Sequence, residues 1–205
     1  MDIIRLKETS QFPLKADSWF QESLSLSGAN FVFLPAGQTP MALYALWEQK
    51  KTKALQGLKL IQIDEIISGQ QSGAFKQFFL QNLPTFSSQI EWIGKSATRN
   101  TGRGLAMLGL GLNGHIGFHE PHLPIDFSFG EVELSDETCN VLKLEAKTHG
   151  ISYGLGTFMA CERILLMVLG EKKRAILERV LKKEAGLPAS QLLNHSNLTI
   201  LTDLS

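Results

Sequence analysis

Two rhythms of apolar and polar residues run along this chain. The apolar runs Phe31 to Leu34, Leu105 to Leu110 and Ile164 to Leu169 have strand length and no polar face, and Leu58 to Ile63 reads as a further strand. Such runs suit strands buried on both sides of a parallel sheet. Ile3 to Leu6 and Leu198 to Leu201 are further strand candidates near the ends. Between them, apolar residues recur at helical spacing. Lys15 to Leu26 offers Trp19, Phe20, Leu24 and Leu26 to a core, and Met41 to Lys50 reads as a second helix. Gly73 to Leu80 gathers Phe75, Phe78 and Phe79 on one side, and Glu171 to Glu184 presents Ile176, Leu177, Val180 and Leu181. Residues 82–103 read as loop with one short strand at Ile90 to Ile93. This alternation predicts an α/β fold: a three-layer, Rossmann-like, mostly parallel sheet with helices on both faces. With no repeat or linker in view, residues 1–205 are expected to form a single domain.

In such sheets ligands bind outside the carboxyl ends of the strands, so the residues just after each strand carry the chemistry. After Leu34 comes Pro35-Ala36-Gly37-Gln38-Thr39-Pro40. Thr39 reads as an N-cap and Pro40 as the first helical residue, an arrangement whose free amides suit a phosphate. After Ile63 comes the pair Asp64-Glu65, readable as a general base with a supporting carboxylate or as a helix cap. After Leu110 comes Gly111-Leu112-Asn113-Gly114-His115-Ile116-Gly117-Phe118-His119-Glu120-Pro121. His115 is a candidate acid/base, with Glu120 to orient it and stabilise its charged form. His115, His119 and His122 would share a helical face, but the glycines and proline among them argue against a helix and so against a metal site. After Leu169, the cluster Lys172-Lys173-Arg174 falls in the first turn of a predicted helix. Cations are unfavourable there unless an anion binds, which marks a lysine of the cluster as an anion contact. Gly150 to Thr157 reads as a glycine-rich turn, with Thr157 capping a helix that runs to Arg163.

Composition narrows the partners. Lys plus Arg equals Asp plus Glu, 20 each, so nothing suggests nucleic acid or an anionic membrane surface. Cys139 and Cys161 are too few for a disulfide framework or a zinc site. No apolar run approaches the roughly 20 residues of a membrane span, and the first residues lack a signal peptide's apolar stretch, so a cytoplasmic protein is expected.

The residues at these strand ends, in this order, resemble those of the glucosamine-6-phosphate deaminase (isomerase) family, in the superfamily shared with 6-phosphogluconolactonase. The resemblance covers Phe31 to Ile66 and Leu105 to Asp203, and is most specific at Asn113 to Pro121. It implies a deaminase/isomerase-like hydrolase that converts an amino-sugar phosphate, glucosamine 6-phosphate above all, to fructose 6-phosphate and ammonia. By the resemblance Asp64 moves a proton between C2 and C1 of the opened sugar. His115 opens the ring, oriented by Asn113 and Glu120. Gly37, Gln38, Thr39 and Lys173 form the phosphate site, with Gln38 standing where the family usually has a small residue. His119 stands where it usually has asparagine. No metal or organic cofactor is implied. The family's lid region, from Pro121 to Thr148, is shortened and lacks its usual phosphate-binding arginine. The chain ends soon after its last strand, which suggests a monomer or small homo-oligomer. Hydrolysis of 6-phosphogluconolactone, and non-catalytic binding of a sugar phosphate, are the alternatives.

Overall fold

The computed structural model describes residues 1–94 and 103–205. In chain order its elements are β1 (Asp2–Arg5), α1 (Phe12–Ser27), β2 (Phe31–Leu34), α2 (Met41–Lys50), β3 (Lys59–Gln62), β4 (Asp64–Ile66), α3 (Ala74–Asn82), β5 (Ile90–Glu91), β6 (Gly104–Gly109), β7 (Phe129–Glu133), α4 (Asp136–Leu142), β8 (His149–Tyr153), α5 (Leu155–Phe158), β9 (Arg163–Val168), α6 (Arg174–Leu181), α7 (Pro188–Gln191) and β10 (Leu198–Thr202).

Seven strands form one sheet in the order β1-β10-β9-β6-β2-β3-β5, every pairing parallel. The apolar runs have the expected cause. Phe31 and Phe33 point into one buried cluster and Val32 and Leu34 into the other. α1, α2 and α3 cover the second face, through Phe12, Trp19, Phe20, Tyr44, Trp47 and Phe79. α5, α6 and α7 cover the first, through Phe158, Ile176, Leu177, Val180 and Ala189. The three-layer α/β expectation holds.

Several boundaries differ from the sequence reading. α1 begins three residues earlier than Lys15. Leu26 is 63% exposed, because the buried stripe of α1 runs on through Ser23 and Ser27. Ser27 satisfies its hydroxyl on the Ser23 carbonyl, so small polar residues take the buried place that the spacing predicts for Leu26. α2 starts at Met41, with Pro40 rather than Thr39 at its cap position and no side-chain cap bond. A turn closed by Met41 N–H to the Gln38 carbonyl holds Thr39 outside the helix. Thr157 caps nothing: α5 is capped at Gly154 and ends at Phe158, and the Thr157 hydroxyl donates to the Ser128 carbonyl. Glu171–Lys173 forms a separate 3-10 turn before α6. The predicted loop 82–103 contains β5, while its residues 95–102 lie outside the described part of the chain.

A second sheet, β4-β8-β7, is antiparallel, and the sequence pattern does not predict it. The chain leaves β3, passes Ile63, and enters β4 to pair with β8, so Asp64 sits where the two sheets part. β2 and β6 are neighbours in the large sheet, yet the chain proceeds from β2 toward β3 and from β6 toward β9. That divergence opens a crevice at their carboxyl ends. No described helix is long and apolar enough to cross a membrane.

Candidate active site

A cavity of about 560 Å³ occupies this crevice. Asp64, Asn113, His115, Gly37, Gln38, Thr39 and Lys173 all line it, so residues far apart in sequence converge there. Glu120, the remaining predicted residue, is fully buried behind the wall.

The acidic pair divides its labour by strand alternation. Glu65 accepts from the amides of Ile66 (2.8 Å), Phe75 (3.0 Å) and Lys76 (2.7 Å) and from Gln62 Nε2 (3.1 Å). It therefore caps α3 from outside the helix and is not available as a partner base. Asp64 turns to the cavity. It is 7% exposed, and its Oδ1 has no hydrogen-bond partner among the described residues. Burial, and then the neighbouring Glu65 charge, push its carboxyl up to about 8.

The His115 loop is shaped by glycine at two points. A Cβ on Gly111 would lie 2.4 Å from the His115 ring, so only glycine admits the imidazole there. Gly117 has φ +58°, and a Cβ on it would meet Ile63 at 2.8 Å and Ser152 at 3.0 Å. Asn113 accepts from the His115 amide (3.1 Å) and donates to Glu120 Oε2 (2.8 Å). His115 Nδ1 lies 3.7 Å from Glu120 Oε2, an ion-pair distance. Its nearer partner is Thr138 Oγ1 at 3.1 Å. Burial alone would raise the Glu120 carboxyl, but the neighbouring His115, Thr138 and Asn113 outweigh it and hold it down at about 2.

The sequence reading misses Ser135 and Thr138. Ser135 caps α4 through the Thr138 amide and touches Glu120 at 3.0 Å. Ser135-Asp136-Glu137 carries a helix-start signature that could have revealed α4, but nothing local shows that α4 reaches His115. Val141 and Leu142, farther along α4, and Phe75 on α3 add apolar walls.

Beyond β2, Tyr44 donates to the Pro35 carbonyl at 2.8 Å and ties down the loop that carries Gly37, Gln38 and Thr39. Lys173 reaches across to the Leu110 carbonyl. Burial lowers its pKa, against the opposing effect of Glu137. His119 belongs to the scaffold. It is fully buried, and its Nδ1 accepts the Leu155 amide at 2.9 Å. Among the described residues no group of three or more His, Cys, Asp or Glu is placed to hold a metal ion.

No protein-family model matches the chain. Curated proteins do. Over 99% of its length the chain is 30% identical to the glucosamine-6-phosphate deaminase of Leuconostoc citreum, covering 97% of that protein. The chain belongs to the glucosamine-6-phosphate deaminase family. It is also 26% identical to the glucosamine-6-phosphate deaminase of Enterococcus faecalis, again over 99% of this chain and 97% of the other. Among solved structures, a monomeric glucosamine-6-phosphate deaminase superposes with a TM-score of 0.82 at 19% identity, over 98% of this chain and 97% of its own. The 6-phosphogluconolactonase of Thermotoga maritima superposes with a TM-score of 0.74 at 17% identity, over 98% of both chains. Those two likenesses show a fold common to deaminases and lactonases. The choice between the activities rests on sequence and site.

Proposed function

We propose that this glucosamine-6-phosphate deaminase family member converts glucosamine 6-phosphate to fructose 6-phosphate and ammonia. The observation that carries the reading is the buried Asp64 carboxyl, its Oδ1 without a hydrogen-bond partner among the described residues, facing the same cavity as His115. Lactone hydrolysis needs a base for water but no second one for carbon, whereas isomerisation needs a carboxylate placed for a C–H proton.

In this reading His115 opens the pyranose by taking the anomeric hydroxyl proton and returning a proton to the ring oxygen. Glu120 supports the charge that His115 acquires. The Asp64 carboxylate then removes the C2 proton of the open amino aldehyde and delivers a proton to C1. The C2 amine becomes an imine. Water adds at C2, ammonia leaves, and the ketose phosphate remains. Gly37, Gln38, Thr39 and Lys173 hold the phosphate, binding energy gathered away from the reacting carbons. No step calls for a metal or an organic cofactor.

The test is a two-substrate assay of the purified protein. Millimolar glucosamine 6-phosphate is followed by ammonia, and 6-phosphogluconolactone by acid release. Ammonia release supports the proposal. Lactone hydrolysis without ammonia would transfer the assignment to the lactonases. Binding of the amino-sugar phosphate without turnover of either substrate would leave a sugar-phosphate-binding protein.

A further inference from the structure

His115 Nδ1 connects to Glu120 by more than proximity. Thr138 Oγ1 is 3.1 Å from His115 Nδ1 and 3.1 Å from Ser135 Oγ, and Ser135 Oγ is 3.0 Å from Glu120 Oε2. Thr138 is buried, and Glu120 wholly so. Each hydroxyl has one proton to give.

The buried charge at one end decides where those protons go. Glu120 is held at a pKa of about 2, so its carboxylate is ionised and only accepts. Ser135 gives its proton to that carboxylate, the strongest acceptor within reach. Ser135 Oγ already accepts the Thr138 amide and Asn113 Nδ2, each at 3.2 Å, which fills its two lone pairs. The Thr138 hydroxyl therefore turns its proton to the Glu120 carboxylate, whose carboxyl it helps hold down. With that proton committed, the Thr138–His115 contact is a hydrogen bond only if His115 Nδ1 carries a proton and donates it. The reverse orientation would turn the Thr138 proton away from the buried carboxylate and set the bare Nδ1 lone pair 3.7 Å from Glu120 Oε2 with no proton between them.

We infer that Ser135 and Thr138 form a hydroxyl relay from Glu120 that holds neutral His115 in its Nδ1–H tautomer and leaves the Nε2 lone pair free. Nε2 has no hydrogen-bond partner among the described residues, and the ring lines the cavity. A free Nε2 lone pair is what a base needs to take a hydroxyl proton. Both relay residues belong to the cap and first turn of α4, so the element covering the cavity also sets the histidine's protonation pattern. Ser135 and Thr138 are positioning residues in this scheme, since they act on the substrate only through His115. The catalytic consequence rests on the proposed deaminase reading, while the tautomer itself does not.

The experiment is ¹⁵N nuclear magnetic resonance of the His115 imidazole in the full chain, with kcat and KM on glucosamine 6-phosphate measured on the same proteins. Wild type is expected as the Nδ1–H tautomer. Thr138→Val removes the hydroxyl at nearly constant volume. It is expected to shift the ring toward Nε2–H and lower kcat by about 10-fold to 100-fold with little change in KM, the range seen when the outer partner of a functional histidine is lost. Thr138→Ser is expected to restore both. An Nε2–H tautomer in wild type would overturn the inference. So would a Thr138→Val variant with unchanged tautomer, or a Thr138→Ser variant as altered as the valine. The spectrum reads the relay even if wild type releases no ammonia, and that outcome would count against the functional proposal alone.

Discussion

Asp64 and Glu65 are adjacent on β4, yet Glu65 is bound by three backbone amides while Asp64 Oδ1 has no partner among the described residues. Alternation along the strand turns the same functional group to two environments. One carboxylate anchors a helix and the other is left chemically free, so the pair gives opposite predictions for stability.

Replacing Asp64 by asparagine should stabilise the protein at neutral pH. In the native state the carboxyl stays protonated up to about 8, while in the unfolded chain it ionises near 3.8. The native state binds the extra proton, so stability falls as pH rises between those two values. An uncharged amide at this position carries no such cost. The gain should vanish at pH 3 and reach the order of a few kcal/mol at pH 7. Denaturant unfolding of both proteins across pH checks this, and a gain independent of pH would contradict it.

Replacing Glu65 by alanine should do the reverse. The amides of Phe75 and Lys76 at the start of α3 lose their acceptor, as does that of Ile66. One unmet buried donor and two partly buried ones should together cost about 2 kcal/mol. For a chain of this size that lowers the melting temperature by roughly 4–8 °C, readable by differential scanning calorimetry.

The raised Asp64 carboxyl also sets the pH dependence of turnover. In the proposed reaction Asp64 is the base and works only when ionised. In the free enzyme kcat/KM should therefore climb with pH and level off above about 8. The profile of kcat should lie at lower pH, because the positive amine of a bound substrate favours the carboxylate. A kcat/KM flat from pH 6 to 9 would remove Asp64 from the rate-determining chemistry.

Gly111→Ala should lower turnover sharply without unfolding the protein. The added Cβ would lie 2.4 Å from the His115 ring and displace it from Thr138. A shift of about 1 Å in such a group costs on the order of 100-fold in rate. Steady-state kinetics beside a thermal melt would separate this loss from unfolding.

The large sheet is legible in the sequence because its strands are buried on both faces and leave continuous apolar runs. The small sheet is not. β4 consists of Asp64, Glu65 and Ile66, of which the two carboxylates do not favour a strand, and its conformation comes from pairing with β8 far along the chain. Asp64, His115, Asn113 and Lys173 could be nominated because they directly follow strands or occupy a glycine-rich loop. Thr138 could not, since its contact with His115 spans 23 positions and depends on how α4 settles over the cavity. Thr39 and Thr157 carry local cap signals that the surrounding turns override.

The account stands on Asp64 moving a carbon-bound proton of an amino-sugar phosphate. Ammonia and fructose 6-phosphate measured together from glucosamine 6-phosphate, with wild type and Asp64→Asn side by side, test this most directly. The account predicts equal amounts of both products from wild type and neither, above the blank, from a folded Asp64→Asn protein. Undiminished ammonia release by Asp64→Asn, or none from folded wild type, would contradict it.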